Sequence, residues 1–231
     1  MKADKLQAVL WIMRLFTVVS SFLFMMPLLG GNPYSYYQKA LLSNAATSAL
    51  RLHQRLPNFQ LSREYLAQLL LEDSAHYLIF SLIFVTSYPV TMVVIPIFMF
   101  ALLHATTYTI QLLDKIGPGS LMIVRRMIGK LTTHQSNILR FIAYNEIFLM
   151  PAMILMIFSG RGSFLLPFIY YRFLSLRYAS RRNPYCRQVF YELRVTAETM
   201  SNKPMCPQLL RNTCNKLIAF INRLAPATPS Q

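Results

Sequence analysis

Acidic side chains are the scarcest resource of this 231-residue chain: 8 Asp and Glu stand against 23 Lys and Arg, a formal charge of +15. Charged residues of both signs make up only 13%, too few to cover the exterior of a soluble fold of this length. Glycine is sparse as well, with 7 residues, which leaves little for phosphate-cradling loops. No P-loop, HExxH or GxSxG pattern occurs, so nothing in the chain predicts an enzyme or a bound cofactor. The three cysteines, Cys186, Cys206 and Cys214, fall in the last fifth without CxxC spacing. A structural zinc site is therefore not expected. The odd count in a basic region fits a reducing compartment better than a disulfide framework. Cys186 reads as an ordinary thiol or as a palmitoylation site beside a bilayer.

Apolar residues are what the chain has in quantity: 55% of the total, with a mean hydropathy of +0.38. Lipid-facing helices need no polar exterior, so this composition predicts an all-α, multi-pass helical membrane protein with amphipathic helices at its interfaces. The positive surplus predicts an anionic partner such as phospholipid headgroups.

Four apolar stretches carry the spans, near 8–29, 77–88, 90–113 and 141–158. The first follows Lys2 and Lys5 in the manner of a signal peptide. Arg14 interrupts it, however, and no small-x-small cleavage site is evident, so it reads as a transmembrane helix with Arg14 snorkelling toward headgroups. Between Ser74 and Leu113 there is no Asp, Glu, Lys or Arg, about twice the length that one crossing needs. Ser87-Tyr88-Pro89 is the natural break, because proline lacks an amide and disfavours helix at the residue before it. The half before the break is short enough to penetrate without crossing; one long helix kinked at Pro89 or Pro96 is the alternative. Residues 164–176 read as re-entrant or interfacial. Leu41 to Leu56, stopped by Pro57, and a segment capped by Ser62 form amphipathic patterns between the spans.

The remainder, 181–231, reads as a basic cytosolic tail with two amphipathic helices. Val189, Leu193, Ala197 and Met200 share one face of the first. The second starts at Pro207 and places Leu210, Cys214, Leu217, Ile221 and Leu224 at intervals of four and three, with Arg211, Lys216 and Arg223 supplying charge. Upstream, "YYRFLSLRYASRRNPYCR" sets Arg172, Arg177, Arg181, Arg182 and Arg187 among aromatics. Such a mixture suits nucleic acid or a bilayer surface equally. It directly follows an apolar segment, and no RNP, zinc-finger or helix-turn-helix pattern is present, so the bilayer is favoured and nucleic acid is not expected. From Arg161 onward 11 basic residues face two acids. At about 1 kcal/mol per Lys or Arg near anionic lipid, these predict a tail held on the membrane, on the cytosolic side by the positive-inside tendency. The candidate surface-binding residues are thus the five arginines above with Arg211, Lys216, Arg223, Leu210, Leu217 and Ile221.

Two intramembrane polar residues are candidates for chemistry. Glu72, Asp73 and His76 share a helical face, a pattern more typical of a solvated helix start than of half a metal site. His104 reads as a buried histidine bonded to a backbone or hydroxyl group. Glu146 sits inside an apolar stretch, where a carboxylate costs about 2.5–3.5 kcal/mol; it is expected to reach water or to pair with Arg140. An alternative reading, a channel or transporter subunit, would require Glu146, Arg172 and His76 to face one aqueous cavity.

Four blocks, "SALRLHQRLPNFQLSREYLAQLLLEDSAHYLIFSLIFVTSYPVTM", "LLHATTYT", "FIAYNEIFLMPAMILMIFSGRGS" and "LLPFIYYRFLSLRYASRRNPYCRQVFYELR", resemble the transmembrane protein 33 family, also called Krüppel homologue 2, whose yeast relatives are pore-membrane proteins. They cover most of residues 40–195; Lys115 to Gln135 and the last few residues match poorly. The resemblance implies a non-enzymatic multi-pass protein of the endoplasmic reticulum and nuclear envelope. It further implies an adaptor or membrane-shaping role in tubule organisation, with reticulon-type or nuclear pore partners. It supplies no catalytic residues, and homo-oligomerisation stays open.

Overall fold

The computed structural model describes residues 2–27, 30–56, 62–117, 119, 121–180, 183–203 and 206–225. Among them are ten helices and no strand: α1 Lys2–Met25, α2 Pro33–Arg55, α3 Arg63–Leu71, α4 Asp73–Phe84, α5 Thr91–Ile116, α6 Met122–Thr133, α7 Gln135–Phe158, α8 Leu165–Ala179, α9 Tyr185–Ser201 and α10 Gln208–Leu224. Three contain stretches long and apolar enough to cross a membrane: Lys5–Met25, Thr91–Ile116 and Gln135–Phe158. Their outward side chains, Ile12, Phe16, Val19, Phe148 and Leu155 among them, are exposed, as lipid-facing surface must be.

α3 and α4 meet at Glu72 with a bend of 82° and form a broken span or a re-entrant element. Ser62 caps α3 by accepting from the Tyr65 amide at 3.1 Å. The 12 residues of α4 reach about 18 Å, well short of a hydrocarbon core of about 30 Å. The chain then breaks over 85–90, where carbonyls lose their intrahelical partners. α2 supplies replacements: Tyr37 OH donates to Phe84 O at 3.2 Å and Gln38 Nε2 to Val85 O at 3.5 Å. Backbone groups in an apolar setting must be paired somewhere, and here a neighbouring helix pairs them.

Pro96 lies inside α5 and cannot donate to Met92 O. Asn145 of α7 fills that gap, its Nδ2 donating to Met92 O at 2.6 Å. The proline is thus tolerated because the helix packed beside it completes the ladder. α1 and α2 approach closely through small hydroxyl residues: Thr17 Oγ1 donates to Ser43 Oγ, and Ser43 Oγ to Met13 O, both at 2.9 Å. Trp11 Nε1 donates to Thr109 Oγ1 at 2.9 Å and ties α1 to α5. The main core joins α2, α4, α5, α7 and α8 through Tyr37, Leu41, Phe80, Phe84, Ile97, Leu149, Tyr170 and Phe173.

Several boundaries differ from those the hydrophobic pattern predicts. α2 begins at Pro33 rather than near Leu41, because Asn32 accepts from the Tyr34 amide and proline suits the first turn. α7 starts at Gln135, so the polar residues before 141 are part of the same helix. Pro57 lies outside the described residues. The segment from 181 is also less tail-like than expected. Cys186 and Val189 of α9 are buried against Ala143 and Ile147 of α7 and Leu174 of α8. One face of α9 is therefore core, and α9 belongs to the body.

Candidate functional site

Two groups of predicted residues separate in the structure: one gathers in the interior, the other lies along α10. The interior group centres on Arg177. Tyr170, Phe173, Leu174 and Arg177 fall at spacings of three, one and three and form the buried face of α8. Arg177 is therefore not a membrane-surface residue, as its neighbours in sequence suggested; it is 1% exposed. Its Nε donates to Glu146 Oε2 at 3.1 Å and its Nη1 to Asp73 Oδ1 at 3.1 Å. Tyr77 OH donates to the other oxygen of Glu146, Glu146 Oε1. The guanidinium also lies 5.2 Å from the centre of the Tyr77 ring and 5.9 Å from that of Phe100, close enough for cation–π attraction. Burial alone would lower the Arg177 pKa, but the carboxylates of Glu146 and Asp73 outweigh it and hold the pKa above the ordinary value.

Glu146 thus neither reaches water nor pairs with Arg140. It is fully buried, and Arg140 instead donates to Glu192 of α9 at 2.8 and 2.9 Å. Tyr144 OH donates to the same carboxylate at 2.8 Å. The Tyr144 hydroxyl first, and Arg140 second, draw the Glu192 carboxyl below its usual range. His76 is buried, with Nε2 2.6 Å from Leu70 O and Nδ1 3.8 Å from Asp73 Oδ1. Glu72 turns away from it to pair with Arg55 of α2. The shared face expected of Glu72, Asp73 and His76 is split because Glu72 sits at the bend. Among the described residues, no group of three His, Cys, Asp or Glu is arranged to hold a metal ion.

Arg14 does not snorkel outward either. It is 8% exposed, facing α5, and its Nη1 donates to His104 O at 3.3 Å. The His104 ring is exposed and stacks on Phe100 with centres 6.3 Å apart. His104 enters this contact through its carbonyl, not as a buried ring.

α10 forms the second group. Leu210, Leu217 and Ile221 lie on one face together with Leu209, Phe220 and Leu224, and all six are exposed. Lys216 and Arg223 are exposed at one edge of that face, beside Leu209. Arg211 is half-buried and otherwise employed: its Nε donates to Ser201 O at 2.9 Å and its Nη2 to Lys203 O at 3.4 Å, closing the end of α9. At the far end, Tyr171 OH of α8 donates to Leu224 O at 2.8 Å. The helix is therefore anchored at both ends with its apolar face turned outward. Full burial of a large apolar side chain is worth about 1.5 kcal/mol or more, so six at half depth would contribute about 4 kcal/mol to lipid contact. Arg172 is exposed on α8 and Arg187 half-buried on α9; Arg181 and Arg182 lie outside the described residues. Burial, followed by the charge of Glu146, pushes the Cys186 thiol up to about 12.

Long apolar helices with exposed outer faces, joined by polar contacts at the 85–90 break and at Pro96, define an all-α, multi-pass helical membrane protein. A family model described as Transmembrane protein 33/Nucleoporin POM33 matches residues 1–227, and the chain belongs to that family. It is 61% identical over 230 residues to Transmembrane protein 33 of Homo sapiens, covering 99% of this chain and 93% of that protein. Krueppel homolog 2 of Drosophila melanogaster is 41% identical over 227 residues, covering 97% and 80%. The Caenorhabditis elegans Transmembrane protein 33 homolog is 41% identical over 227 residues, covering 97% and 83%. The match thus extends beyond the blocks within 40–195 to nearly the whole chain. No solved structure matches.

Proposed function

We propose that this chain is a non-enzymatic protein of the endoplasmic reticulum membrane and nuclear envelope that shapes the bilayer and serves as an adaptor, with its C-terminal part in the cytosol. The observation that carries the reading is α10: six exposed apolar side chains on one face, Lys216 and Arg223 along its edge, and both ends bonded to the body. A helix held in that way inserts into one leaflet and expands it relative to the other, which favours curvature. The short α4 and the bend at Glu72 are compatible with a second, shallow insertion. The word nucleoporin in the family's description supports nuclear pore partners; reticulon-type partners rest on the family resemblance. A transport role fits less well, because Glu146 is enclosed by Tyr77 and Arg177 while Arg172 lies on the outside of α8.

The test is reconstitution of the full chain into liposomes containing phosphatidylserine. Tubules or smaller vesicles are expected for the native protein. Leu217→Glu with Ile221→Glu should abolish the effect while leaving the protein membrane-integrated. Vesicles left unchanged by the native protein would refute a shaping role.

A further inference from the structure

A cavity of about 350 Å³ opens where α1 begins and α2 and α5 end. Arg14, Arg51 and Arg55 line it together with His104, and its lining contains no carboxylate. A smaller chamber of about 140 Å³ shares these four residues and extends to Asp73 and Arg177. The nearby acids are already engaged: Glu72 pairs with Arg55, and Asp73 with Arg177. Arg14 has only the 3.3 Å bond to His104 O. Arg51 makes no hydrogen bond or ion pair among the described residues. Two guanidinium groups therefore share a partly enclosed space with no carboxylate bonded to either among the described residues, the nearby Glu72 and Asp73 being held by Arg55 and Arg177. Like charges brought together away from bulk water repel, and an anion seated between them would relieve that repulsion.

The geometry points to a phosphate-bearing polyol headgroup, of the kind carried by inositol phospholipids, as the ligand of this cavity. Three features select that class. Arginine forks match phosphate oxygens in a bidentate manner, and the two unmatched arginines balance a phosphomonoester. The volume is far more than a lone phosphate requires, since one water occupies about 30 Å³ of liquid. The mouth carries exposed Gln7, Gln54 and Gln111, neutral groups that can both donate to and accept from hydroxyls. The walls α1 and α5 are candidate spans. Gln7 lies two turns before Arg14, about 10 Å along α1, so the cavity runs inward from near the end of the span, where headgroups lie. The site is separate from α10, which lines neither chamber.

The experiment uses the full chain in neutral detergent, with thermal unfolding followed against four probes: dioctanoyl phosphatidylinositol 4-phosphate, dioctanoyl phosphatidylcholine, inositol 1,4-bisphosphate and inorganic phosphate. A ligand that binds only the folded form raises the unfolding temperature in a saturable way. The phosphoinositide should do so and phosphatidylcholine should not. Arg51→Gln should move the midpoint to at least tenfold higher ligand concentration. Gln54→Glu, an exposed change that places a negative charge at the mouth, should do the same even if Arg51→Gln folds poorly. Lys216→Gln with Arg223→Gln on α10 should leave the midpoint unchanged. Equal potency of inositol 1,4-bisphosphate, with the same dependence on Arg51 and Gln54, would identify a soluble headgroup as the natural source for the same site. No saturable shift with any phosphate-bearing probe, or a midpoint indifferent to both single substitutions, would overturn the assignment.

Discussion

Arg177 and Glu146 stand 31 positions apart in sequence, yet their side chains meet at 3.1 Å with 1% and 0% exposure. A buried pair of this kind is costly to break from one side and cheap to replace as a unit. Glu146→Gln or Arg177→Met alone should destabilise the protein by about 3 kcal/mol. The combination of Glu146→Leu and Arg177→Met should recover most of that loss. Thermal unfolding in detergent, followed by helical circular dichroism, measures all three; a double variant as unstable as the sum of the singles would contradict the pairing.

Asn145 and Pro96 should likewise behave as a coupled pair. Asn145→Leu leaves Met92 O without its partner and should cost about 1–3 kcal/mol. Pro96→Ala restores an amide that can bond Met92 O. It should therefore rescue the Asn145→Leu background far more than it alters the native chain. The same unfolding assay, arranged as a double-mutant cycle, checks this.

Thiol reactivity should divide the three cysteines. A thiol pushed up to about 12 carries almost no thiolate at pH 8, and Cys186 is buried while Cys206 and Cys214 are partly exposed. Maleimide at pH 8 should label Cys206 and Cys214 and spare Cys186 until the protein is denatured. Peptide mass spectrometry reads the outcome. Rapid labelling of Cys186 in the folded chain would contradict the docking of α9.

The clamp between α7 and α9 should weaken in acid. The Glu192 carboxyl is drawn below its usual range by Tyr144 and Arg140, so its contribution is complete above the ordinary carboxylate range and is lost as pH falls through the lower folded value. Hydrogen exchange of α9 amides, corrected for intrinsic rates, should show protection that declines in this window. Glu192→Gln should reduce protection at neutral pH and flatten the decline.

The sequence disclosed the membrane class, the apolar helices and the break before Pro89, because runs of apolar residues and a proline are local signals. It also disclosed α10, whose apolar stripe repeats at three and four. What it concealed was direction. Arg177 lies in a run of arginines and was grouped with them, although Tyr170, Phe173 and Leu174 share its face. That spacing of three, one and three was the available clue. Arg14 was assigned outward because α1 alone gives no view of α2 and α5. Glu146 was matched to Arg140 six residues away, whereas its partner comes from the following helix. Pairings of that kind depend on tertiary packing, which no window of one helix contains.

The bond from Asn145 to Met92 O has a mechanical corollary. Sliding α5 by one turn along α7, or rolling it about its own axis, would strip a carbonyl in an oily environment of the one amide able to reach it. The join therefore works as an index pin: α5 and α7 travel together, and any rearrangement of this protein must hinge elsewhere.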